Sequence, residues 1–264
     1  MNQPSARIQA LAESATILMA TKSRELKAQG VDVIDLSLGE PDFQTPAHIC
    51  EAAKKAIDDG YHHYPPVPGY ADLREAISQK FLRDNNLQYA PDQIVVSTGA
   101  KQSLANIMMA LLNPGDEVIV PIPYWVSYTA QIQLAEGKLV PIETNIEQDF
   151  KITPEQLEQA ITRQSRIFLF STPCNPTGSA YTPEELAALV EVFEKYPDII
   201  IVSDEIYEYI TFQGAHKSIG SFDAVRDRTV TVNGLSKAFA MTGWRLGFLG
   251  APTWIAKACT KMQG

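Results

Sequence analysis

The sequence predicts an α/β fold, a mainly parallel seven-stranded sheet flanked by helices, and three observations carry that expectation. Seven short runs rich in β-branched residues recur along the chain. Most are apolar without alternation, the pattern of strands covered on both faces. The stretches between them carry helix-start signals, so strands and helices alternate.

Residues 1–45 come first and read differently. One amphipathic helical stretch gives way to "VIDLSLGEPDFQTP", punctuated by Gly and Pro, and a boundary is expected near Thr45–Pro46. The strand candidates then follow in order: "QIVVSTG" (Gln93–Gly99), "DEVIVPIP" (Asp116–Pro123), "KLVPIET" (Lys138–Thr144), "RIFLFST" (Arg166–Thr172), "DIIIVSD" (Asp198–Asp204), "RTVTVNG" (Arg228–Gly234) and "WRLGFLG" (Trp244–Gly250). Two of the intervening helices announce their starts. "TPEQ" at Thr153–Gln156 and "TPEE" at Thr182–Glu185 each combine a threonine N-cap, Pro at the first helical position and an amide or acid at the third.

Composition narrows the function classes. The chain has 264 residues, 45% of them hydrophobic, enough for one large core or a core with a smaller lobe. A net charge of −9 argues against a nucleic-acid or anionic-membrane surface while leaving room for a local anion pocket. The start "MNQPSARIQALAES" lacks a charged and then apolar leader pattern, and no apolar run reaches membrane-span length. Cys50, Cys174 and Cys259 are scattered and without CxxC spacing, so they are expected as free thiols in a reducing, cytoplasmic setting. No repeat is present, and no GxGxxG or GxxxxGK[ST] opens a helix. His62 and His63 are adjacent but have no further ligands at a recognisable spacing, so no metal site is expected.

In α/β sheets ligands gather at the carboxyl ends of strands, and the unusual residues fall there. Thr98-Gly99-Ala100-Lys101 joins a strand to a helical stretch, where small residues let backbone N–H groups and a helix dipole face an anion; the same residues serve a plain tight turn. Asp204 ends an apolar run, where an ionised carboxylate needs a cation, a protonated ring nitrogen or backbone donors. Asn175 lies in "STPCNPTG", a rigid turn with a cis-prolyl option, its amide free for a ligand oxygen or for the turn itself. Trp125 in "PIPYWVSY" is wall packing or a stacking face for a planar ring, and Tyr207 taken alone is ordinary packing. Lys237 sits in the apolar "VNGLSKAFAMTGWRLGFLG" between Ser236 and, eight positions on, Arg245. Desolvation favours its neutral amine, the form that imine chemistry requires, and the Arg245 fork suits a phosphate. A phosphate turn, a strand-end carboxylate, a stacking Trp and a desolvated Lys together make up the requirements of pyridoxal 5′-phosphate.

With these residues assembled, the chain resembles a class I pyridoxal-phosphate-dependent aminotransferase of fold type I, nearest the bacterial aspartate aminotransferases, a group that includes members acting on prephenate or aromatic acids. The likeness runs from about Leu36 to the end, through "SLGEPDF", "YPPVPGYADLREAI", "STGAKQSL", "GDEVIVPIPYWVSY", "STPCNPTG", "VSDEIYEY" and "NGLSKAFAMTGWRLGF", all in family order. The resemblance implies that Lys237 carries the cofactor as an imine and then moves the proton between substrate Cα and cofactor. It implies that Asp204 pairs with the ring N–H, that Tyr207 and Asn175 bond the phenolic oxygen, and that Trp125 stacks on the ring. Gly99, Ala100, Lys101, Ser236 and Arg245 would surround the phosphate, the first three largely through backbone groups. Gly39, with Trp125 and Asn175, would approach the substrate, and Tyr64 would reach the phosphate of a neighbouring subunit in a homodimer with shared sites.

The implied activity is transamination between aspartate and 2-oxoglutarate in amino-acid metabolism. Glutamate, aromatic or prephenate transamination, or β-lyase or decarboxylase chemistry on the same cofactor, stand beside it. So do a non-enzymatic regulatory domain and an inactive fragment, because family chains continue past this end into a small domain holding the carboxylate-binding arginine. The chain is therefore expected to be C-terminally truncated, with residues 1–45 an arm and part of that small domain and residues 46–264 an incomplete cofactor-binding large domain.

Overall fold

The seven apolar runs pair into one sheet. The computed structural model describes residues 3–13, 15–212 and 214–264. The strands are β1 (Ile94–Ser97), β2 (Glu117–Ile122), β3 (Lys138–Glu143), β4 (Ser165–Ser171), β5 (Ile200–Asp204), β6 (Thr229–Gly234) and β7 (Gly247–Gly250), in the spatial order β1-β7-β6-β5-β4-β2-β3. β2 to β6 pair in parallel, whereas β7 runs antiparallel to both β6 and β1. The mainly parallel expectation therefore holds with one reversal. No helix intervenes between Gly234 and Gly247 beyond a single short turn at Thr242–Trp244, and without a crossover the chain can only return antiparallel.

Ten helices are described: α1 (Ala6–Gln9), α2 (Ala15–Ala28), α3 (Ala47–Asp58), α4 (Ala71–Asn85), α5 (Ala100–Leu111), α6 (Ser127–Leu134), α7 (Pro154–Ala160), α8 (Pro183–Glu194), α9 (Asp223–Arg226) and α10 (Thr253–Gln263). None is long and apolar enough to cross a membrane. Both expected capping boxes form. Thr153 Oγ1 accepts from Gln156 N at 3.3 Å while Gln156 Oε1 accepts from Thr153 N at 2.9 Å, and Thr182 and Glu185 repeat the exchange at 3.2 and 2.8 Å.

The sheet divides the core into two layers. On one face Leu104, Ile107 and Met108 of α5 and Ile255 of α10 pack on Val118, Val202, Val232 and Leu249. On the other, Leu186, Leu189 and Phe193 of α8 pack on Ile119, Phe168 and Ile201. Burying both faces explains why the strands lack alternation.

Two expectations shift in detail. The last strand begins at Gly247 rather than Trp244, because Trp244 closes the short turn and Arg245 takes a left-handed backbone (φ 56°). The single helical stretch foreseen near the N-terminus is two helices, α1 and α2, and Ile17, Leu18 and Met19 of the second are exposed.

Candidate active site

Five strands deliver the candidate residues to one edge of the sheet. β1 leads into Gly99–Lys101, β2 into Trp125, β4 into Asn175, β5 into Asp204 and Tyr207, and β6 into Ser236 and Lys237. The reversal of β7 completes the set: its start lies at the carboxyl edge of its neighbours, with Gly247 opposite both Ser97 and Gly234. Arg245, two residues earlier, is thereby placed beside the Gly99 turn.

That turn is built for close approach. Gly99 has φ 85°, and a Cβ there would strike the Arg245 guanidinium; a Cβ on Gly247 would strike the backbone of Gly99 and Ala100. Gly99 is the N-cap of α5, so the first N–H groups of a twelve-residue helix open at this point beside the guanidinium. Arg245 Nη1 donates to Thr242 O at 2.8 Å and has no carboxylate partner among the described residues. Gly99→Ala is expected to lower thermal stability by about 1–2 kcal/mol through its positive φ and to displace Arg245, weakening affinity for inorganic phosphate. Thermal unfolding and phosphate titration by calorimetry check it; unchanged values in both would show that the turn is merely compact.

Asp204 is buried, and its two oxygens are held differently. Tyr128 Oη donates to Oδ2 at 2.7 Å, and the backbone N of Ile206 donates to Oδ1 at 3.3 Å. No cation pairs with it among the described residues, and burial pushes its carboxyl up from the ordinary 3.8 to about 6 against those two hydrogen bonds. Tyr207 lies three residues on, with Asn175 Nδ2 donating to its hydroxyl at 3.4 Å. Burial first, and then the Asp204 charge, raise the Tyr207 hydroxyl's pKa. The Asn175–Pro176 bond is cis, as are Ile122–Pro123 and Thr172–Pro173.

Lys237 Nζ lies 5.8 Å from the Tyr207 ring centroid and donates to Gly39 O. Burial holds its pKa below the ordinary lysine value; Glu40 opposes that shift and Arg245 adds to it. The N-terminal segment is clasped to the same turn, since Thr242 Oγ1 donates to Glu40 Oε1 and Thr45 Oγ1 to Ala240 O, each at 2.7 Å. Lys101 Nζ stands 5.0 Å from the Trp125 ring, with its pKa lowered by burial and by Arg245.

Comparison with known proteins decides the family. The family described as "Aminotransferase class I and II" matches residues 31–264. The chain belongs to that family. Among aminotransferases it is 48% identical over 261 residues to the aspartate/prephenate aminotransferase of Nitrosomonas europaea, covering 98% of this chain and 66% of that protein. It is likewise 48% identical to the aspartate aminotransferase of Bacillus subtilis, covering 97% and 65%. The structure of the aspartate aminotransferase of Thermus thermophilus with maleate superposes with a TM-score of 0.96 at 44% identity, over all of this chain and 68% of that one. The chain thus spans slightly less than two thirds of the curated relatives it matches.

Within this family member, the structure brings Lys237, Gly39, Tyr207 and Asn175 into one contact chain, with the Asp204 charge acting on Tyr207, and sets Gly99 against Arg245. Ser236 is buried at the end of β6. Tyr64 is separate from that chain: its side chain is fully exposed, without a hydrogen bond among the described residues. Sequence reading passed over Tyr128, whose ring stands edge-on to Trp125 at 5.6 Å while its hydroxyl holds Asp204. The available signal was its position one helical turn after Trp125 in "YWVSY".

Proposed function

We propose that the protein is an aminotransferase that holds pyridoxal 5′-phosphate at this edge and exchanges an amino group between aspartate and 2-oxoglutarate in amino-acid metabolism. The observation that carries the reading is the buried Asp204 carboxylate lacking a cation, set on the same edge as a desolvated lysine amine. A protonated ring nitrogen is the partner that carboxylate lacks, and the Gly99 turn with Arg245 matches a phosphate. The residues present therefore fit the group. When bound, the cofactor supplies an electron sink for charge developing at the substrate Cα.

The chain's own residues do the rest. Asp204 would hold the proton on the ring nitrogen, with Tyr128 keeping the carboxylate aimed. Asn175 and Tyr207 would bond the phenolic oxygen, Trp125 would cover a ring face, and Gly99, Ala100, Lys101, Ser236 and Arg245 would surround the phosphate. Lys237, its pKa lowered by burial, would take the proton from Cα and return it on the cofactor side. Gly39, whose carbonyl accepts from Lys237 Nζ, would approach the substrate through its backbone. Tyr64, exposed here, serves the phosphate of a second copy in a homodimer. Residues 1–45 form an arm and part of a smaller domain, residues 46–264 the cofactor domain, and the protein works in the cytoplasm.

Purified full-length protein loaded with the cofactor is expected to lose its bound-cofactor absorbance with aspartate and regain it with 2-oxoglutarate. Failure of any amino donor to change that absorbance would overturn the reading. Because several of the relatives are named for aspartate and prephenate, prephenate forms a second acceptor arm of the same assay.

A further inference from the structure

Behind the candidate site lies a second, buried polar cluster. The stretch Asp204–Glu208 makes one tight turn, with Glu208 N donating to Glu205 O at 3.0 Å. Asp204 and Tyr207, three apart, belong to the candidate site. Glu205 and Glu208, also three apart, engage a different set of partners. Glu205 is fully buried; its Oε1 accepts from Ser203 Oγ at 2.9 Å, and its Oε2 from Ser218 Oγ at 2.5 Å and His216 Nε2 at 2.8 Å. Asn85 at the end of α4 donates to Glu208 Oε2 at 2.6 Å and to Glu205 Oε2 at 3.4 Å, and itself accepts from Lys80 Nζ at 2.6 Å. Lys80 also pairs with Glu208 Oε1.

Glu205, Glu208 and His216 stand close enough together to hold a metal ion. The cluster is already occupied from within, however: Lys80 and His216 face its two carboxylates, three of the four carboxylate oxygens accept hydrogen bonds, and Glu208 Oε1 pairs with Lys80. Such an ion would have to displace Lys80, Asn85 and Ser218 from those carboxylates. A buried network this complete is costly to disturb and fixes the backbone that carries it.

We propose that the Glu205–His216–Ser218–Asn85–Glu208–Lys80 network is the device that positions the Asp204–Tyr207 turn and sets the electric field behind it, so that its charges tune the protonation of the ring bound in front. This rests on the function proposed above. The charged and titratable groups facing Glu205 are His216 from the segment after the turn, Lys80 from α4, Tyr89 following α4, and Asp204 and Glu208 on the turn itself. Burial disfavours both charges of the Glu205–His216 pair, yet each partner opposes that effect on the other, leaving Glu205 below and His216 above its ordinary pKa.

Glu205→Gln and His216→Gln in the full-length holoprotein test this, because they remove opposite charges. The pH at which the bound-cofactor absorbance titrates is expected to fall in Glu205→Gln and to rise in His216→Gln, each by about half a unit or more, as charges within several ångströms inside protein produce. Cofactor Kd is expected to rise about tenfold in both, since the turn loosens. A network that only supports the fold would lower apo-protein Tm while leaving both titrations at the wild-type pH, and that result overturns the proposal. Shifts of the same sign overturn the field argument equally. If Glu205→Gln does not fold, opposite-sign shifts between His216→Gln and Lys80→Met against Glu208→Gln carry the same test. The controls separate the two levels: a wild type with no Lys237-dependent cofactor absorbance sinks the proposed function, whereas a normal wild type with unmoved variants sinks this inference alone.

Discussion

Lys237→Ala is expected to reduce amino-group transfer by about 10⁴-fold or more, since in the proposed function one change removes both the attachment point and the base. The fold should survive, because the side chain contributes one hydrogen bond, to Gly39 O, whose net worth is about 1 kcal/mol. The variant also removes an amine that burial and Arg245 disfavour in its charged form. Apo-protein Tm is therefore expected within a few degrees of wild type. Lys237→Arg separates the roles: it keeps a donor for Gly39 O but stays protonated, so it should be as inactive as the alanine variant. Borohydride treatment followed by peptide mass analysis reads the attachment directly. Cofactor fixed to the wild type at residue 237 and absent from Lys237→Ala is the expected pattern; a reducible adduct persisting in the alanine variant would move the assignment to another lysine, with Lys101 beside Trp125 the first to examine.

What the sequence made legible follows from range. Strand identity, the capping boxes at Thr153 and Thr182, and the placing of Asp204, Asn175 and Lys237 at strand ends depend on neighbours within a few residues, and all of them reappear in the structure. Tyr207 reads alone as packing; the resemblance gives it a role, and the structure adds its Asn175 contact from another strand end. Tyr128 was missed for the same reason, its partner lying 76 positions away. The Glu205–Glu208 face was hidden further, because Asn85 reaches it across more than a hundred residues. Nothing in the local sequence marks Glu205 as buried, although its side chain is fully buried. The direction of β7 was within reach: no full helix separates "RTVTVNG" from "WRLGFLG", and that absence forces the reversal which brings Arg245 to the site.

Asp204→Asn should split stability from function. In the wild type, burial lifts the Asp204 carboxyl to about 6 from 3.8. Below pH 3.8 the group is neutral in folded and unfolded chains alike, so it has no effect on their balance. Between 3.8 and 6 the unfolded chain releases the proton that the folded chain retains, so stability falls as pH rises and levels off above about 6. A displacement of about two units, at about 1.4 kcal/mol each, sets the cost near 3 kcal/mol at neutral pH. Asparagine never ionises and can still accept from Tyr128 Oη, so the variant escapes this cost. Apo-protein Asp204→Asn is accordingly expected to unfold several degrees above wild type at pH 8 and together with it near pH 4. The loaded enzyme should show the reverse, with kcat lower by about 10²–10³-fold, because the ring nitrogen has lost the charge that keeps it protonated. Unfolding curves of the cofactor-stripped proteins across pH 4–8, set beside aspartate turnover, check both halves. Parallel stability profiles for the two proteins would mean that Asp204 is not carrying a desolvated charge. Wild-type turnover in the variant would mean that the charge, though present, is not directed at the cofactor. The pairing expected here, a residue that weakens the empty protein and is indispensable once the site is filled, is what a buried carboxylate reserved for a cationic partner should produce.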